Sequence, residues 1–207
     1  MNNPLMAKDA SGLKFIAVAK NSLPTNGYNY GFSNSPGFYS SNEFNMSRFE
    51  NILNGFIDVW NNPNNRQYSP KVASYVKNTD IYVGLFKDEK YGGHAYAGYK
   101  DIYIGDVAIK GKQNDGDYLE SALFHEAVHT MDSENGEFKT HAACFAAGYY
   151  KPEQILKRFA SDEYKKSVYE DAPDEFKKYF DKNMNFIGKD SKSFWNAFFN
   201  LGQKIIK

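Results

Sequence analysis

The sequence predicts an α+β fold on three observations. Short β-branched and aromatic runs fall before residue 110, helical spacing of apolar residues dominates the remainder of the chain, and one amphipathic stretch sets two histidines on a single face with a glutamate beside them. Strands come first and helices after, so a small sheet should pack against helices. The chain reads as one domain over 1–207. Its sheet-rich part with one helix covers 1–116, and its helical part, which carries the candidate site, covers 117–207.

A short strand is expected from Lys14 to Lys20. The stretch from Asn21 to Ser41, rich in Gly, Asn, Ser, Pro and Tyr and without sustained period, reads as a long surface loop. Met46, Phe49, Ile52, Leu53, Phe56, Ile57 and Trp60 then recur at helical spacing and stop at Asn61-Asn62-Pro63. Three further runs, Val72 to Val76, Ile81 to Phe86 and Ile102 to Ile109, have strand chemistry with Gly, Asp and Asn between them, which suggests a small mixed or antiparallel sheet. Within Tyr91 to Tyr99 a sheet-edge strand is expected. His94, Tyr96 and Tyr99 are its candidates for cleft or oxyanion contacts, with strand packing as the simpler role.

From Asp117 the character turns helical. Asp117 as N-cap and Glu120 three residues later form the carboxylate version of a capping box, and Leu119, Ala122, Leu123, Ala127, Val128 and Met131 supply an apolar stripe. A second helix is expected from Glu137 to Tyr150, and Pro152 suits the first turn of a third. Asp171-Ala172-Pro173 opens a fourth in the same way, and Ser193 to Ile206 closes the chain as an amphipathic helix. There is no internal repeat and no low-complexity tract.

Composition narrows the function classes. With 207 residues, 42% hydrophobic and 24% charged, the chain is long enough to bury a real core, and its 17% aromatic share is high. Lys+Arg and Asp+Glu both total 25, so no net charge draws the protein to nucleic acid or to an anionic membrane. Cys144 is the only cysteine, which excludes an internal disulfide. No base pairs with it in the sequence pattern, so it reads as a small buried hydrophobe. The start lacks a basic region leading into an apolar stretch, and no run reaches membrane-spanning length. The expectation is a cytoplasmic protein or one exported without a classical signal; the oligomeric state stays open.

Chemistry concentrates in His125-Glu126-Ala127-Val128-His129. Residues four apart share a helix face, so both imidazoles can meet one ion, and Glu126 projects beside it as a general base. Two of the chain's four histidines are used here, inside a capped helix that follows the sheet. The bland alternative is a pair of satisfied histidines with Glu126 as a solvated charge. A catalytic zinc has three protein ligands, and His141 on the next helix is the leading third, after a Ser133-Glu134-Asn135-Gly136 turn that can reverse the chain. Glu137, one helical turn earlier, is its rival; Asp132 and Glu134 come behind. The expected function is a zinc-dependent endopeptidase acting on a protein or peptide, with Zn2+ on His125, His129 and His141 and with Glu126 as catalytic base. A regulatory or binding protein of the same fold with little hydrolysis, or a zinc hydrolase of non-peptide amides, would carry the same motif.

His141-Ala142-Ala143-Cys144-Phe145-Ala146-Ala147-Gly148-Tyr149-Tyr150-Lys151-Pro152-Glu153 resembles the second-helix signature of the ImmA/IrrE-type zinc peptidases. In that family a glutamate ligand is followed by Ala, Phe-Ala-Ala, two large apolar residues and Pro-Glu, and His141 stands where the glutamate would be. Leu123 to Asp132 is similar to the anthrax lethal factor-like and Pro-Pro endopeptidase zincins, where an Asp three residues after the second histidine is common, and Asp171 to Phe176 echoes their C-terminal region. These resemblances span about Leu119 to Phe180. They imply a zincin-like metalloprotease domain, with a small sheet packed on an active-site helix and C-terminal helices beyond it, and they imply that Asp132 orients a metal-bound histidine. Both families use glutamate as third ligand, and a histidine there would leave a more Lewis-acidic metal. The lethal factor-like family also has a tyrosine shortly before that ligand; this chain has none between Asp132 and His141.

Overall fold

Three parallel strands and one antiparallel edge strand make up the sheet of the computed structural model, which describes residues 15–18, 45–86, 93–95, 101–105, 108, 119–132 and 134–207. β1 (Phe15–Val18), β2 (Ile81–Phe86) and β4 (Asp101–Gly105) are parallel, and β3 (Gly93–Ala95) runs antiparallel to β4, so the order is β1-β2-β4-β3. Ala17 lies opposite Val83, and Val83 opposite Ile102. Parallel neighbours require a crossover, and two helices supply it between β1 and β2: α1 (Met46–Asn61) and α2 (Pro70–Asn78).

An edge strand leaves backbone groups that need partners. Along β1 they are met by α1. Asn54 accepts from the Phe15 N–H at 3.0 Å and donates to the Phe15 carbonyl at 3.1 Å, while Glu50 Oε2 accepts from the Ala17 N–H at 2.9 Å. This explains a buried asparagine in a stripe otherwise made of Phe49, Leu53, Ile57 and Trp60.

The expected strand at Val72–Val76 is a helix instead, so the described residues of the sheet-rich part include a second helix beyond the one expected. Pro70 sits in its first turn, and Val72, Ala73 and Val76 are buried at helical spacing. Strand propensity in β-branched residues counts only when burial alternates; here a single helical stripe is buried. Of the Ile102–Ile109 run, the strand occupies only the start and ends at Gly105, with Ala108 buried beyond it. The expected loop at 21–41 and the N-cap at Asp117 lie outside the described residues. So do Tyr96 and Tyr99, while His94 is described only by its backbone in β3.

Six helices follow among the described residues from 119 onward: α3 (Leu119–Met131), α4 (Glu137–Ala146), α5 (Pro152–Phe159), α6 (Lys165–Asp171), α7 (Asp174–Lys177) and α8 (Lys192–Ile206). α3 lies between β3 and β4 on one side and α4 on the other. Every residue from Ser121 to Thr130 is buried, so the helix is enclosed all round rather than along the one stripe the sequence suggests. α6 was not expected, and Pro173 precedes α7 as its cap.

The end of α4 shows local sequence control. Gly148 takes φ +77°, its N–H bonds to the Phe145 carbonyl, and the Tyr149 N–H bonds to the Cys144 carbonyl. This left-handed glycine cap stops the helix at Ala146, short of the expected Tyr150, and turns Tyr149 and Tyr150 back toward α3. α8 crosses α4 so closely that a Cβ on Gly202 would stand 2.0 Å from the Ala142 carbonyl oxygen. No helix among the described residues is long and apolar enough to cross a membrane.

Candidate metal centre

One helical turn apart on α3, His125 and His129 bring their Nε2 atoms to 3.1 Å. Each ring is held from behind. His129 Nδ1 is 2.7 Å from the Asn135 carbonyl oxygen, which can only accept, so the proton sits on Nδ1 and the Nε2 lone pair points inward. His125 Nδ1 lies 3.3 Å from the Tyr150 hydroxyl and 3.7 Å from Cys144 Sγ. With that nitrogen donating to the hydroxyl, the second Nε2 lone pair faces the first.

The turn between α3 and α4 brings up the third group. Asn135 donates its side-chain amide to the Val128 carbonyl at 3.1 Å and its backbone N–H to the Asp132 carbonyl at 3.0 Å, which tightens the end of α3. Thr140 Oγ1 donates to the Asn135 carbonyl at 3.2 Å. The Asp171 carboxylate accepts from the Glu137 N–H at 2.7 Å and so caps α4 from the end of α6. It occupies the space that a side chain on Gly136 would need, since a Cβ there would stand 2.2 Å from Asp171 Oδ2.

Glu137 opens α4 with its carboxylate over the two imidazoles: Oε2 is 3.9 Å from His125 Nε2 and Oε1 is 3.8 Å from His129 Nε2. Ligand atoms of His125, His129 and Glu137 all lie within 4.8 Å of one another, a group that could hold a metal ion. Donors around a tetrahedral ion at about 2 Å are themselves separated by roughly 3–3.5 Å. The two Nε2 atoms already meet that spacing at 3.1 Å, and the carboxylate oxygens, at 3.8 and 3.9 Å from them, lie just outside it. Glu137 Oε2 is buried with no hydrogen-bond partner, beside two imidazole nitrogens 3.1 Å apart; a cation would satisfy the oxygen and could draw on both nitrogens. Burial raises the Glu137 carboxyl above the usual carboxylate range, against the pull of His129 and Arg158.

Glu126 is buried beside His125, 6% exposed. His141 is fully buried one turn along α4 from Glu137, on the same face. The metal-capable group does not include it: its ring centroid is 5.1 Å from that of His125, and its Nδ1 is 2.6 Å from the Glu137 backbone carbonyl.

No protein-family model, curated protein or solved structure matches the chain.

Two expectations need correction at this site. Asp132 is exposed and accepts from the Glu134 N–H, while the carbonyl that orients His129 belongs to Asn135. Cys144 is buried as expected but does lie against an imidazole. Tyr150, Asn135, Thr140 and Asp171 escaped sequence reasoning. The signals were Gly148, whose cap returns Tyr150 to α3, and the Asn135-Gly136 pair that sets the turn.

Proposed function

We propose that the protein is a zincin-type, zinc-dependent endopeptidase whose metal ligands are His125, His129 and Glu137, with Glu126 as general base. The observation that carries this reading is the approach of two Nε2 atoms to 3.1 Å under the Glu137 carboxylate, on the helix that also bears Glu126. Two neutral imidazoles and one carboxylate form a donor set suited to zinc, and three protein ligands leave a coordination position open. A zinc ion held there supplies Lewis acidity, polarising a carbonyl oxygen and lowering the pKa of water.

The protein's own groups divide the remaining work. Glu126 takes the proton of the attacking water and delivers it to the leaving amine. The Asn135 carbonyl fixes the His129 tautomer that leaves its Nε2 lone pair directed inward, and the Tyr150 hydroxyl, as acceptor from His125 Nδ1, would do the same for His125. β3, antiparallel at the sheet edge and packed beside α3, offers backbone groups along which an extended peptide can lie. Glu137, the rival of His141 in the sequence, takes the third position in this reading because its carboxylate reaches both imidazoles.

Glu126→Gln tests the assignment. Incubated with a peptide library and followed by mass spectrometry, the variant should cleave about 10²–10⁴-fold more slowly than wild type while retaining its zinc. Undiminished cleavage by the variant removes Glu126 from catalysis. A wild-type protein that holds zinc and cleaves nothing points to a binding role.

A further inference from the structure

His141 is too deeply enclosed to be an incidental surface histidine. Its ring packs among those of His125, Tyr150 and Phe159 at centroid distances of 5.1, 5.7 and 6.0 Å. A phenylalanine would fill such a space without polar cost. The histidine instead leaves its Nε2 buried without a partner, and among the described residues only Glu137 Oε2 shares that condition. The atom that repays this is Nδ1, 2.6 Å from the Glu137 backbone carbonyl and 3.4 Å from Glu137 Oε2. Since the carbonyl only accepts, Nδ1 carries the proton.

We propose that His141 is a positioning residue whose Nδ1–H, bonded to the Glu137 backbone carbonyl, and whose ring, 3.4 Å from the Glu137 carboxylate, hold Glu137 in the rotamer in which it would meet the metal. The inference rests on Glu137 being a ligand, as proposed above. It assigns His141 a role one step removed from the ion: the ring packs beside the Glu137 carboxylate and leaves its Oε2 free of any hydrogen bond that would compete with a metal.

The test is zinc affinity, measured by competition with a chromophoric chelator, together with the visible spectrum of the cobalt-substituted protein. Asparagine can place an amide N–H near the Nδ1 position, glutamine reaches past it, and phenylalanine fills the space with no donor. His141→Phe should fold, bind zinc about 10–100-fold more weakly and shift the cobalt spectrum. His141→Asn should recover most of the affinity, and His141→Gln should not. Adding His141→Phe to Glu137→Ala should weaken binding no further, because the effect passes through Glu137. Wild-type affinity in His141→Phe, equal rescue by Asn and Gln, or full additivity on Glu137→Ala would each overturn the role. If His141→Phe does not fold, the Asn and Gln pair decides. Wild-type zinc affinity in Glu137→Ala would instead remove Glu137 from the ligand set, a failure of the functional reading that this comparison shows separately.

Discussion

α4 separates two clusters of opposite chemistry. On one side Phe138 meets Phe159, Phe176, Phe180, Phe194 and Phe198 at centroid distances from 5.0 to 6.5 Å. On the other, Glu137 and His141 face His125 and His129. The aromatic side gains from burial alone and has many overlapping contacts. The polar side gathers like-featured donors, carries two orphaned atoms and gains little until something fills it. One helix therefore takes its stability from one face and presents its chemistry on the other. His141, touching Phe159 as well as His125, sits where the two meet.

Substitutions should separate the two faces. Phe138→Ala is expected to have the largest effect on stability, about 3–5 kcal/mol in urea denaturation, because it opens a cavity at the centre of the aromatic cluster. If it lowered zinc affinity without lowering stability, the division would fail. Gly202→Ala should cost about 1–3 kcal/mol by overpacking. Its Cβ would drive α8 away from Ala142, on the helix that also carries Glu137, so weaker zinc binding should accompany the loss. Tyr150→Phe should be smaller in stability, about 1 kcal/mol or less, yet reduce zinc affinity on the order of tenfold by removing the hydroxyl beside His125 Nδ1. An unchanged affinity would show that Cys144 and packing suffice to hold that ring.

Much of this arrangement is legible in the sequence. The His125–His129 spacing places two imidazoles on one helix face, and β2 occupies the expected Ile81–Phe86. The features that escaped depend on tertiary partners. Val72–Val76 has strand composition but packs one stripe against α1 and α3 and is helical. Glu137 and His141 are a turn apart on one face, so periodicity ranks them equally; the Asn135-Gly136 turn and the Asp171 cap bring the Glu137 carboxylate over both imidazoles, while the His141 ring packs against that of His125. Asp132, expected to orient a histidine, is exposed and accepts from the Glu134 N–H, and it is the Asn135 carbonyl that meets His129.

Metal content tests the central claim most directly. Protein equilibrated with zinc and freed of excess by gel filtration should carry one zinc per chain by elemental analysis. His129→Ala and Glu137→Ala should lose it under the same treatment, and a chelator should lower the wild-type melting temperature while leaving those two variants unmoved. Wild-type protein without zinc, or full zinc retention in His129→Ala, would contradict the account.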